Sequence, residues 1–169
     1  MRIIVSDTSC LIDLRKASLL EAFMKLPYEK AIPDTLFEEE LLNFSCDEKN
    51  IFLEGGMSVI ELPGESVLRA QHIKSYCPAL TIHDCFAFSL AEQSPGCILL
   101  TGDDKLRSVA TSHKIEVHGV LWALDEIKDH RTATISALIA ALELFEEDKT
   151  VRLPARTLRA FLKRYSTYL

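Results

Sequence analysis

The chain has 169 residues, of which 48% are hydrophobic and 26% charged. That length suits one domain and that composition is globular, which excludes a disordered or low-complexity protein. The formal charge of −6 argues against duplex binding on bulk electrostatics, but the charge is unevenly spread. Residues 149–169 carry Lys149, Arg152, Arg156, Arg159, Lys163 and Arg164 and no acid, leaving 13 basic and 25 acidic residues in the remainder. An acidic body with a basic tail is a polarised protein.

No apolar run approaches the roughly 18 residues of a membrane-spanning helix. The N-terminus enters Arg2-Ile3-Ile4-Val5 directly, without the layout of a signal peptide. A soluble, cytoplasmic protein with no membrane partner is expected. The five cysteines (10, 46, 77, 85 and 97) are odd in number, and no pair is spaced C-x-x-C. They are expected to be reduced, mostly small core residues rather than a disulfide or zinc framework.

In chain order, Ile3–Val5 is a short β-branched run and reads as a buried strand. Leu11 to Phe23 has helical spacing. Ala31-Ile32 is a weak second strand, and Pro33-Asp34 opens a helix to about Asn43. Met57–Leu62 is a third strand, closed by Pro63-Gly64. Helices follow over Glu65–Tyr76 and Leu80–Gln93. Cys97–Thr101 is a strong fourth strand, Asp104–Ser112 a helix and Ile115–Val117 a last strand. Beyond Gly119 only helices are indicated, over 120–129, 134–147 and 155–166.

Short apolar strands alternating with helices predict an α/β fold. The expected form is a three-layer α/β/α sandwich with a central parallel sheet. Residues 1–169 read as a single domain, an α/β core over 1–118 and a helical C-terminal extension over 119–169.

Ligands of open α/β sheets bind at the carboxyl ends of the strands. Asp7 ends the first strand, Asp103 follows the fourth, and Asp84 lies in the first turn of the helix before the fourth. Each has an ordinary structural reading: Asp7 and Asp103 as helix caps, Thr81-x-x-Asp84 as a capping box. Together at one edge they repel one another unless a hard cation is present, and Mg²⁺ or Mn²⁺ is the natural choice. Carboxylates without a nucleophile beside them suggest metal-assisted hydrolysis. There is no glycine-rich phosphate loop. A fourth acid is expected from Glu38-Glu39-Glu40. On a helical wheel, Leu36, Phe37, Leu41 and Phe44 form the buried face, Glu40 lies at its edge, and Glu39 points away. His83, beside Asp84, reads as structural.

The segments IIVSDTSCLIDL, IPDTLFEEEL, LTIHDCFAFSLAE and ILLTGDDKLRSVA, in this order, resemble the PIN-domain nucleases, in particular the VapC-type toxins of toxin–antitoxin pairs. The resemblance implies a Rossmann-like fold, a divalent metal in an acidic pocket and cleavage of RNA. It also implies a cognate antitoxin and a homodimer. Carried onto this chain, it assigns Asp7, Asp84 and Asp103 to the metal and catalytic site. The pattern Phe37-x-x-Glu40-Leu41 adds Glu40. Ser9 and Thr101 match positions whose polar side chains hold the first carboxylate in place.

Arg152, Arg156, Arg159 and Lys163 recur at helical spacing, so a helix there presents a basic stripe. That stripe can meet RNA phosphates or pair with the acidic body. The reading from sequence is a metal-dependent endoribonuclease acting as a toxin. The competing one is a non-catalytic PIN-like module that binds nucleic acid or protein. Phosphoaspartyl phosphatases and receiver domains fail on residue content: Ser9 stands where the former needs a second Asp, and Pro63-Gly64-Glu65 follows the third strand where the latter needs a phospho-acceptor.

Overall fold

The computed structural model describes residues 1–169. Five short strands form one sheet: β1 (Ile3–Ser6), β2 (Glu29–Pro33), β3 (Met57–Ile60), β4 (Ile98–Leu100) and β5 (Glu116–His118). Their order is β3-β2-β1-β4-β5 and every pairing is parallel. Parallel strands need crossovers and cover on both faces, which is why the central strands are continuous apolar runs. In β1 and β4, Ile4, Val5, Ile98, Leu99 and Leu100 are all at most 1% exposed.

The chain winds outward from β1 through β2 to β3, then returns to the other side of β1 with β4 and β5. The β1–β4 junction is therefore the topological switch point, where the carboxyl ends of neighbouring strands leave a crevice. Ser6 pairs with Leu100 there, so the residues that follow each strand, Asp7 and Thr101, emerge side by side.

Ten helices surround the sheet: α1 (Thr8–Lys16), α2 (Leu20–Met24), α3 (Asp34–Glu39), α4 (Cys46–Glu54), α5 (Gly64–Tyr76), α6 (Ile82–Glu92), α7 (Asp104–Ser112), α8 (Val120–Asp129), α9 (Ile135–Glu147) and α10 (Ala155–Ser166). None is long and apolar enough to cross a membrane. α6 is the central helix, with Cys85, Ala87, Phe88, Ser89, Leu90 and Ala91 all buried. It touches β1, β2 and β4. α10 packs on α9. Ile127, Leu138, Leu142, Phe145, Leu158 and Tyr165 of the last three helices belong to the same continuous apolar cluster as β1 and β4.

Four elements differ most from the sequence reading. The helix expected over Leu11 to Phe23 is two helices. α1 starts earlier, at Thr8, because Asp7 caps it, and the chain breaks at Ser18, whose φ is 56°. The helix expected to run to Asn43 stops at Glu39. Next comes α4, which apolar spacing does not reveal. Its signature is a reciprocal capping box formed by Ser45 and Glu48. Its apolar periodicity is weak, and Phe52 is its one buried residue. The last strand is shifted by one residue, to Glu116–His118. Of the cysteines, all unpaired, Cys10, Cys85 and Cys97 are buried, Cys77 is partly buried and Cys46 is exposed.

Candidate active site

β1 drives its end into the core, and this carries Asp7 with it: the residue is only 4% exposed. Its carboxylate is held from three sides. The Thr8 N–H donates to Oδ1 at 2.7 Å, as in an N-cap. The Ser9 hydroxyl donates to Oδ2 at 2.7 Å and the Thr101 hydroxyl donates to the same oxygen at 2.8 Å. Each hydroxyl also accepts from the loop after β4, Ser9 from the Gly102 N–H at 2.8 Å and Thr101 from the Asp103 N–H at 3.1 Å. Arg107 donates to the Thr101 carbonyl at 3.2 Å and steadies the same loop. Ser9 and Thr101 thus latch the two strand ends of the switch point onto one carboxylate.

Burial is the main influence on Asp7, and it pushes the carboxyl up to about 6. The hydroxyls of Ser9 and Thr101 oppose that rise, and the charges of Asp84 and Glu40 add to it. Asp7, Glu40 and Asp84 are therefore one electrostatic group, and no basic side chain is among the main influences on the Asp7 carboxyl.

Glu40 follows the last residue of α3 as its C-cap. It accepts from the Thr8 hydroxyl, and its other oxygen lies 3.2 Å from His83 Nδ1. Glu39 instead reaches His83 Nε2 at 2.8 Å and leaves its side chain 62% exposed, against 26% for Glu40. Of the two, Glu40 is the one that turns toward Asp7. It does so from just beyond the helix rather than from within it. His83 sits between the two glutamates and orients both, a bridge that sequence reasoning missed. Its adjacency to Asp84 is the one signal available there.

Asp84 forms the expected capping box with Thr81: its Oδ2 accepts from the Thr81 N–H at 2.6 Å, and its own N–H donates to the Thr81 hydroxyl at 3.0 Å. Asp103 N-caps α7, its Oδ1 accepting from the Leu106 N–H at 2.8 Å. It is joined to Asp7 through Thr101, and its charge is not among the main influences on the Asp7 carboxyl. No three acidic or histidine side chains stand close enough to hold an ion between them. The physical reason is that each carboxylate is turned to a donor of its own: Thr8 N–H, Thr81 N–H, Leu106 N–H and the Thr8 hydroxyl.

The chemistry of the donors still suits a hard divalent cation. All four are carboxylates, Asp84 Oδ1 and Asp103 Oδ2 accept no hydrogen bond from the protein, and Asp7 carries a buried charge that its neighbours make worse.

A cleft of about 600 Å³ adjoins this edge. One stripe of α1 (Ser9, Asp13 and Lys16), the first turn of α7 and residues 150–154 line it. Ser9 belongs to both the cleft and the Asp7 site.

Fold and site together define a Rossmann-like α/β/α protein with acidic side chains gathered along the carboxyl edge of its sheet. The family follows from comparison: a model described as a PIN domain (DUF3368) matches residues 3–167, and the chain belongs to that family. PIN domains are typically nucleases. Among curated proteins and solved structures, none matches the chain significantly.

Proposed function

We propose that the protein is a divalent-metal-dependent endoribonuclease that hydrolyses RNA phosphodiester bonds and acts as the toxin of a toxin–antitoxin pair. The observation that carries this reading is Asp7, a buried carboxylate at the topological switch point, pushed up by its burial and by the charges of Asp84 and Glu40. Carboxyl groups perturbed by burial and by like charges in a crevice cluster at functional sites. Asp7, Glu40, Asp84 and Asp103 would hold Mg²⁺ or Mn²⁺. Such an ion supplies an activated water and charge neutralisation at phosphorus. Ser9 and Thr101 fix the Asp7 carboxylate, and His83 fixes Glu40, the kind of support that orients metal-binding side chains.

The test is cleavage of single-stranded RNA by the purified protein. Cleavage in Mg²⁺ or Mn²⁺ that EDTA abolishes is expected. Glu40→Gln should lower its rate by orders of magnitude, and Glu39→Gln by a few-fold at most. Activity untouched by EDTA would overturn the metal-dependent reading, and the reverse order of the two glutamine variants would overturn the role of Glu40. The second reading, a non-catalytic PIN-like binding module, draws on the engagement of every site carboxylate as a cap or hydrogen-bond acceptor. RNA binding without any metal-stimulated cleavage would favour it.

The basic tail adds substrate affinity in this proposal. Arg152, Arg156, Arg159 and Lys163 are all exposed. Only Arg159 among them makes an ion pair, with Glu146 at 3.3 Å, and so open a pair contributes little. Arg164, off the stripe, is the residue that pairs with the body, at 2.6 Å from Asp125. Arg156→Ala with Arg159→Ala is expected to weaken RNA binding and to flatten its dependence on salt, by roughly one unit of slope for each phosphate left without its cation. Filter binding across a salt series checks this. Unchanged affinity would return the stripe to surface solvation. The antitoxin and the homodimer belong to the same proposal. The cognate antitoxin would cover the carboxyl edge of the sheet, and size-exclusion chromatography with light scattering reads the oligomeric state.

A further inference from the structure

The cleft beside the carboxylates has a feature that hydrolysis does not use. Asp13 lies half-buried on its wall, one helical turn from Ser9 on α1. No backbone or side-chain donor of the protein reaches its carboxylate. The nearest cation, Lys16, is engaged elsewhere, donating to the Thr150 hydroxyl and lying 3.3 Å from Asp148. Burial pushes the Asp13 carboxyl up to about 6, and Lys16 only partly opposes this. A half-buried carboxylate on a cleft wall, with neither oxygen hydrogen-bonded by the protein, gains from a donor that enters the cleft.

The surroundings say what that donor is. About 600 Å³ is within the range of small-molecule sites and holds one nucleotide. Ile12, Val120, Val151 and Leu153 form the apolar part of a mostly polar lining. Arg152 stands at its rim, exposed and without an ion-pair partner, and it begins the basic stripe that continues along α10. At the other end Ser9 and Asp103 connect the cleft to the Asp7 site. A patch of apolar side chains, a free guanidinium at the mouth and the unfilled Asp13 carboxylate on the α1 wall describe a place for a base with its phosphate outside; Asp103 and Asp104 also line the cleft, at its α7 end.

Among the RNA bases, guanine alone offers two adjacent N–H donors, N1–H and the N2 amine, on its Watson–Crick edge. A carboxylate accepts both. Adenine and cytosine set a ring-nitrogen acceptor beside their amine, and uracil flanks a single N–H with two carbonyls, so each places a lone pair against the carboxylate. We infer that this cleft is a guanine-selective nucleotide subsite, in which Asp13 accepts from the base edge and Arg152 meets the adjoining phosphate. It would place a guanosine next to the bond cut at the Asp7 site. The inference rests on the nuclease reading only for that last consequence.

Binding and cleavage separate the two. In EDTA, the wild-type protein titrated with guanosine 5′-monophosphate should bind it at least about tenfold more tightly than adenosine or cytidine 5′-monophosphate. Asp13→Asn should remove that preference while leaving thermal stability equal or higher, and Arg152→Ala should weaken all three nucleotides alike. With a random-sequence RNA pool, guanosine should be enriched beside the cut in the wild type and not in Asp13→Asn. Equal binding of the three nucleotides, or a preference that survives Asp13→Asn, would overturn the subsite. Selective binding of the guanine nucleotide without RNA cleavage would uphold the subsite and defeat the nuclease. Cleavage without guanosine preference would do the opposite.

Discussion

Asp7→Asn is expected to yield a protein that melts at a higher temperature and no longer cleaves RNA. The Asp7 carboxyl sits at about 6 in the folded chain, chiefly because it is buried and secondarily because Asp84 and Glu40 are near. An ordinary aspartate in the unfolded chain ionises near 3.9. At pH 7 both states are ionised, and the folded one carries a penalty of about two pH units, on the order of 3 kcal/mol. Asparagine removes the charge and keeps the shape. Its oxygen can accept from the Thr8 N–H, and its amide can donate to the Ser9 and Thr101 hydroxyls once they rotate. For a chain of this size a gain of about 2–3 kcal/mol raises Tm by roughly 5–10 °C.

The same shift fixes a pH dependence. Between about pH 4 and 6 the folded metal-free protein binds more protons than the unfolded one at Asp7. This contribution therefore stabilises the fold as pH is lowered through 6 and weakens it as pH rises. Asp13, also at about 6, acts in the same direction. Glu48, Glu92, Glu116 and Asp148, held below their ordinary values by hydrogen bonds, act oppositely, and their contribution is lost as pH falls toward 4. Stability in EDTA should accordingly peak near pH 5, with a shallower decline toward pH 7 in Asp7→Asn. Mg²⁺ should raise the Tm of the wild type and leave the variant unmoved, since a ligand of the folded state stabilises by mass action. Scanning calorimetry reads all of this. A variant that melts lower, or one that still cleaves, would assign Asp7 to the fold alone.

Why the site was partly legible in sequence follows from how it is built. Asp7 and Asp103 could be placed because strands of a parallel sheet present their carboxyl ends together, and alternating apolar runs reveal where strands end. Glu40 could be separated from Glu39 because two apolar side chains on either side set the direction of the chain, even though α3 ends before it. The cleft was not legible. It needs the loop after α9 to return against α1, a meeting of residues more than 130 positions apart, fixed by Lys16 on Thr150 and Asp148. No local pattern announces such a pairing. The orientation of each carboxylate was likewise beyond reach, because cap and metal ligand share one residue type at one position. α4 is a different case: its capping box was in plain sight at Ser45 and Glu48, and weak amphipathicity hid it.

The helical last third poses the remaining physical question, whether it folds with the sheet or beside it, and Tyr165→Ala answers it. Tyr165 is fully buried. Its hydroxyl donates to Asp125 Oδ1 of α8 at 2.8 Å, an oxygen that also takes Arg164 at 2.6 Å. Its ring lies against Phe161, and its face is approached by Arg164 and Lys128. Truncating a buried aromatic to alanine removes its burial and leaves a cavity, typically about 3–5 kcal/mol, a large part of the stability of an ordinary domain. Tyr165→Phe keeps the ring, and Asp125 keeps Arg164, so about 1 kcal/mol is expected. Because Leu158 and Tyr165 share one apolar cluster with the sheet, Tyr165→Ala should shift a single urea transition to lower concentration without splitting it. Two transitions would instead make 119–169 an independent unit. The variant should also loosen the 150–154 segment that walls the cleft. RNA and guanine-nucleotide binding should then weaken at temperatures where the Asp7 site, held by β1 and β4, is still folded.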